Sequence, residues 1–245
     1  MGFASNRAFK VAGGAVFEKD GTPKAALLRA MERAVEVQRP LVLANIRRLQ
    51  RKHPDATPAE LVSIVEKHYL ATVTGGGAAV GATAVVPAIG TMAALGLSAA
   101  ATVGFLEATA LFAQSVAELH GIQLEDPERS RTMVMAIMLG EEGTAMMQAV
   151  VGRGAKPWAN SLGGMSSGLM GSIRRQFTKR VVARQGTAML GRALPLGIGA
   201  VVGGAGNHAM GKGVIKTARK AFGPAPQTIP GELARDLRQL PEHKS

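Results

Sequence analysis

Cysteine is absent from the chain, so neither a disulfide nor a thiolate metal site can form. Aromatic residues make up only 4% of the chain, although hydrophobic residues make up 47%. The apolar mass is therefore mostly Ala, Val, Leu and Met, together with 31 glycines. Such small residues let helix backbones approach closely. Aspartate is scarce, with only Asp20, Asp55, Asp126 and Asp236 present, and none of them follows an apolar strand. No segment alternates apolar and polar residues with β-branched enrichment, so the expected class is all-α. The N-terminal stretch MGFASNRAFKVAGGAVFEKD lacks the apolar run of a secretory signal. Asn6 also stands where a myristoylation pattern needs Ser or Thr. Both absences point to a cytoplasmic chain, or one inserted from the cytosol.

Charge is plentiful but uneven. The formal net charge is +12. Residues 1–70 carry 12 basic and 7 acidic groups, residues 71–150 carry 2 and 7, and residues 151–245 carry 15 and 3. An acidic middle can pack beside basic ends and neutralise them. Alternatively, the basic C-terminal third faces an anionic partner, a membrane surface or nucleic acid.

Punctuation along the chain predicts about six helices in one bundle. Thr22-Pro23 opens the first, which runs to about His53 with Pro40 kinking or dividing it. Thr57-Pro58-Ala59-Glu60 is a capping box that opens the second. A third runs from about Thr91 to His120. Asp126-Pro127 caps a fourth that continues to about Val151. Residues 152–165 read as a connection. SSGLMGSIRRQFTKRVVARQ then forms an amphipathic helix with Met170, Ile173, Phe177 and Val181 on one side. Arg174, Arg175, Lys179, Arg180 and Arg184 on its other side are candidates for contact with an anionic surface. A last apolar helix ends at about Phe222, and a short one spans Gly231 to Leu240. Residues 1–21 read as loosely structured, 22–222 as the helical domain and 223–245 as a proline-containing tail.

GGAGNHAMGKG (203–213) carries Gly206, Gly211 and Lys212 at P-loop spacing. A P-loop also needs a Ser or Thr after the lysine and a preceding β-strand. Gly213 occupies the hydroxyl position, and the preceding LPLGIGAVV is helical in pattern. The five histidines show no spacing suited to a metal. No G-x-S-x-G elbow occurs. Glu141 and Glu142 are adjacent, which suits a solvated helix face better than an acid–base pair. The sequence therefore offers no catalytic, cofactor or metal residues.

No charge occurs from Tyr69 to Leu106, a run of 38 residues with 11 Ala and 7 Gly. Pro87 divides the run into lengths near those that span a bilayer, but bulky aliphatics are few. A hairpin buried against other helices and one entering a membrane both remain open. Gly77 and Gly81, like Gly199 and Gly203, form GxxxG faces suited to helix packing. Glu107 ends the uncharged run, while Asn207 and His208 interrupt the last apolar helix. These three are candidate buried polar groups, and Arg184, Arg192 and Lys212 are candidate partners for Glu107.

Three stretches together resemble the EcsC family: HPDATPAELVSIVEKHYLATVTGGGAAVGATAVVPAIGT (53–91), FLEATALFAQSVAELHGIQLEDPER (105–129) and LGRALPLGIGAVVGGAGNHAMGKGVIKTARKAFGP (190–224). The resemblance covers roughly residues 22–224. It implies a bacterial, membrane-associated helical protein without an assignable activity. The expected role is a non-enzymatic accessory to membrane or transport processes, partnered by an anionic membrane surface or a membrane protein. The alternative is a soluble helical module that binds a lipid-like ligand or a protein. Nucleic acid is disfavoured, because the basic helix carries a single aromatic, Phe177, and no recognised motif.

Overall fold

The computed structural model describes residue 29 and residues 32–83, 90–152, 157–190 and 198–239. Every regular element among them is helical. The α-helices are α1 (Arg39–Lys52), α2 (Pro58–Thr83), α3 (Gly90–Leu119), α4 (Pro127–Leu139) and α5 (Glu141–Val151). A 3₁₀ helix over Trp158–Gly164 follows, then α6 (Ser167–Leu190), α7 (Ile198–Phe222) and α8 (Gly231–Gln239).

Two local features raise the helix count above six. Pro40 lies in the first turn of α1, where its missing N–H costs nothing, after an extended break at residues 36–38. It therefore divides the expected first helix. Gly140 has φ +70 and ψ −130, a conformation costly for any residue with a Cβ, and it splits the expected fourth helix into α4 and α5. The split folds α5 back on α4. A Cβ on Gly143 would fall 2.8 Å from the Ala136 carbonyl carbon. The segment read as a plain connection also holds structure: the 3₁₀ helix sinks Trp158, Ala159 and Leu162 into the core.

The helix starts follow local chemistry. The Thr57 backbone N–H donates to Glu60 Oε2 at 2.8 Å, and the Glu60 N–H donates to Thr57 Oγ1 at 3.3 Å. Asp126 Oδ1 accepts from the Glu128 N–H at 2.8 Å. The same exchange with Thr57 holds the Glu60 carboxyl below the usual carboxylate range.

The core centres on the C-terminal half of α3 and on α4. Ala110, Phe112, Ala113, Val116, Ala117 and Leu119 are buried on α3, and every residue from Thr132 to Ile137 is buried on α4. A helix apolar all round is one enclosed by its neighbours. The most extensive pairing joins α2 and α7. It is antiparallel, because Glu66 meets Arg219, Thr74 meets His208, and Ala78 meets Gly204. α8 docks on α1 with Leu233 and Leu237 buried.

Pro87, the expected turn of the uncharged run, lies outside the described residues. Among the described residues, no helix is long and apolar enough to cross a membrane.

Candidate functional site

α6 divides by side. Ile173 and Phe177 are buried, Met170 and Val181 are half-buried, and Arg174, Arg175 and Lys179 are exposed. Arg180 departs from the expected outward set. Its Nη1 donates to the Leu139 carbonyl at 2.7 Å, one of the acceptors left open at the end of α4. It also lies 3.5 Å from Glu142. Arg180 is thus a tie between helices, because the end of α4 reaches it. Arg184 lies on α6, but its side chain is outside the described residues.

The adjacent acids of α5 join the two basic helices. Glu141 accepts from Lys220 Nζ at 2.6 Å and lies 3.7 Å from Lys216 Nζ, both on α7. Lys220, and after it Lys216, holds the Glu141 carboxyl below its usual range. Glu142 accepts from Gln176 Nε2 on α6 and pairs with Arg180. The acidic pair also occupies the first turn of α5, where the helix dipole favours negative charge.

A polar seam runs between α2 and α7. Arg219 donates to both oxygens of Glu66, which is buried, with Nε to Oε1 at 2.7 Å. Asn207 Nδ2 donates to the Val73 carbonyl at 3.0 Å. Thr74 Oγ1 donates to the Leu70 carbonyl at 2.6 Å, so in its 3.1 Å contact with His208 Nδ1 the imidazole is the donor. Asn207 and His208 are half-buried and link helices without breaking α7. Glu107, expected with them as a buried polar group, is exposed. Gly104, three residues earlier, has open space where a Cβ would stand, so this side of α3 faces outward.

The P-loop-like stretch lies wholly within α7. Its backbone N–H groups are turned into helix hydrogen bonds, which leaves none to cradle a phosphate. The close approach of α2 and α7 is seen at Gly211 and Gly204. A Cβ on Gly211 would come 3.0 Å from both Leu70 Cδ1 and Val73 Cγ2, and one on Gly204 would lie 3.4 Å from Ala78 Cβ. Gly77 is buried on α2. Gly81, Gly199 and Gly203 lie on helical backbone in the same pair, with their contacts outside the described residues.

Sequence reasoning missed a second ionic centre. Arg39 donates to both oxygens of buried Glu118, with Nε to Oε1 at 2.6 Å, and to Asp236 Oδ2 at 2.7 Å. It joins α1, α3 and α8, and Glu118 first of all holds its guanidinium more firmly protonated. A usable signal existed. Gln114 and Glu118 interrupt an apolar segment four residues apart and so share a helix face. Beside this centre lies a cavity of about 180 Å³, lined in part by Arg39, Gln114, Glu118 and Met133. A second cavity, of about 230 Å³, is lined in part by Arg131, Thr132, Ser167, Met170 and Arg174.

Among the described residues, no group of three or more His, Asp or Glu could hold a metal ion. A scan against protein-family models, a search of curated proteins and a search of solved structures each find no match to the chain.

Proposed function

We propose that the protein is a non-enzymatic helical accessory factor of the EcsC type that docks on the anionic cytosolic face of a membrane through α6. The observation that carries this reading is the division of labour on that helix. Arg174, Arg175 and Lys179 face solvent while Ile173 and Phe177 are committed to the core. An interfacial helix needs a free apolar face to enter lipid. α6 has already used its own, so its contact with a membrane is electrostatic and peripheral. Each cation near an anionic surface contributes about 1 kcal/mol. Three therefore contribute about 3 kcal/mol, which salt weakens.

The test is co-sedimentation with vesicles of phosphatidylglycerol and phosphatidylcholine, repeated with phosphatidylcholine alone. The expected result is binding to the anionic vesicles that is lost in 0.5 M salt (about a 4 Å Debye length). The triple variant Arg174→Glu, Arg175→Glu, Lys179→Glu should lose it as well. Cell fractionation should likewise release the protein by salt alone. Retention after both salt and carbonate washes, no vesicle binding at low salt, or a preference for duplex DNA would each overturn the reading.

A further inference from the structure

We infer that the cavity between α4 and α6 binds a small zwitterion, a free α-amino acid with an unbranched apolar side chain. Arg180 of α6 meets the last carbonyl of α4, and Ser167 at the start of α6 shares the cavity with Glu128 in the first turn of α4. The two helices therefore run side by side in the same direction. Residues seven apart on each helix line the same trough: Glu128 and Met135 on α4, Ser167 and Arg174 on α6. That spacing puts both members of a pair on one helix face, two turns and about 10 Å apart. Glu128 thus lies at one end of the trough, and Arg174 is displaced toward the other. Glu32, from the segment before α1, adds a second carboxylate.

The charges in this trough are opposite, yet they do not meet. Among the described residues, the side chains of Glu32, Glu128 and Arg174 have no ion pair or hydrogen bond. An anion drawn to Arg174 also faces two carboxylates. A cation drawn to the carboxylates also faces Arg174 and Arg131, whose own partner Glu36 stands 3.6 Å away. A molecule with an ammonium and a carboxylate on one short bridge answers both signs, with charged hydrogen bonds of about 2.8 Å. Apolar surface lies beside the charges, from Met135, which is buried, and Met170, which is half-buried. Thioether side chains adapt to a flexible apolar chain. The volume of about 230 Å³ sets the size. An apolar cavity of roughly 150 Å³ holds benzene, so the ligand has on the order of nine non-hydrogen atoms, as norleucine does.

The probes are norleucine, hexanoate (no ammonium), pentylamine (no carboxylate) and phosphoethanolamine. Binding is read from the ¹³C-methyl resonances of Met135 and Met170 in the full chain. Norleucine should give a saturable shift at both. Each half-ligand should bind roughly three- to tenfold more weakly, a loss between that of an exposed ion pair and that of a charged hydrogen bond. Arg174→Gln should bring norleucine to or below the level of pentylamine. Glu32→Gln with Glu128→Gln should bring it to or below the level of hexanoate. All three side chains reach solvent, so both variants should keep their helical circular dichroism. No saturable response to norleucine in the natural chain would overturn the inference. So would equal binding of norleucine and either half-ligand, a preference for norleucine that survives in both folded variants, or tighter binding of phosphoethanolamine. These readouts need no membrane, so their failure and that of the docking reading are distinguishable.

Discussion

Arg219 on α7 closes on Glu66 of α2 through two hydrogen bonds, although the residues stand 153 positions apart. The carboxylate is buried, with a side chain only 9% exposed, while the arginine is 68% exposed. Arg219→Ala would leave the buried carboxylate without its partner. Full burial would make such a loss about 3–5 kcal/mol, but solvent reaches Arg219, so the expected cost is about 1–2 kcal/mol. Arg219→Lys should recover part of it. Urea unfolding of the two variants measures both. Equal stability of Arg219→Ala and the natural protein would contradict the buried pair.

Two helical glycines should respond in opposite directions to the same change. Gly143 faces the Ala136 backbone with no room for a Cβ, because α5 folds back onto α4. Gly143→Ala must move one helix off the other and should cost about 3 kcal/mol or more, at or above the upper end of ordinary overpacking. Gly213 is exposed on α7 and meets nothing within 4 Å. Gly213→Ala should stabilise by about 0.5–1 kcal/mol through helix propensity. Thermal melts of the pair read both signs.

The α2–α7 register can be fixed covalently. A Cβ on Gly204 would stand 3.4 Å from Ala78 Cβ, close to the roughly 3.5–4.5 Å of disulfides. The natural chain has no cysteine, so Ala78→Cys with Gly204→Cys should form a single intramolecular bridge on oxidation. Non-reducing electrophoresis and mass spectrometry detect it. Ala78→Cys with Gly213→Cys should form none, because Gly213 lies more than two turns farther along α7.

Acid should remove stability at surface carboxylates held by specific partners. Glu60 and Glu141 both have folded-state values below the usual 4.5. Each prefers its charged form in the fold. The contribution is thus full above about pH 4.5 and lost as pH falls through the lowered folded values. Glu60→Gln should therefore lie below the natural protein in urea midpoint at pH 6, with the gap closing toward pH 3. A gap that does not change with pH would contradict the assignment.

What was legible in the sequence was local. The Thr57–Glu60 box and the Asp126 cap involve residues within three positions of each other, so their chemistry is written in one turn. The two sides of α6 followed from its period. Gly140 was not legible as a break, since apolar residues continue on both sides of it, as Met138 and Leu139 and then Met146 and Met147. Only the return of α5 onto α4 demands its backbone conformation. Arg180 has the spacing of a solvent-facing residue, and it is the end of α4, brought near by tertiary packing, that captures it. Glu107 ends an apolar run, which left burial and solvent equally open in the sequence, and the outward face it shares with Gly104 places it in solvent. Glu118 and Arg39 lie 79 positions apart, and their union depends on how α1 crosses α3.

The antiparallel match of α2 with α7 also dictates an order of events during synthesis. Tyr69, Leu70 and Val73 are covered by Gly211 and its neighbours, and Thr74 meets a residue 134 positions later. At roughly 5–20 residues per second, the ribosome needs on the order of ten seconds to make that partner. Throughout that interval α2 lacks the cover of α7, with only α3 available to it through Phe112 against Tyr69, and the bundle closes only when nearly the last helix emerges.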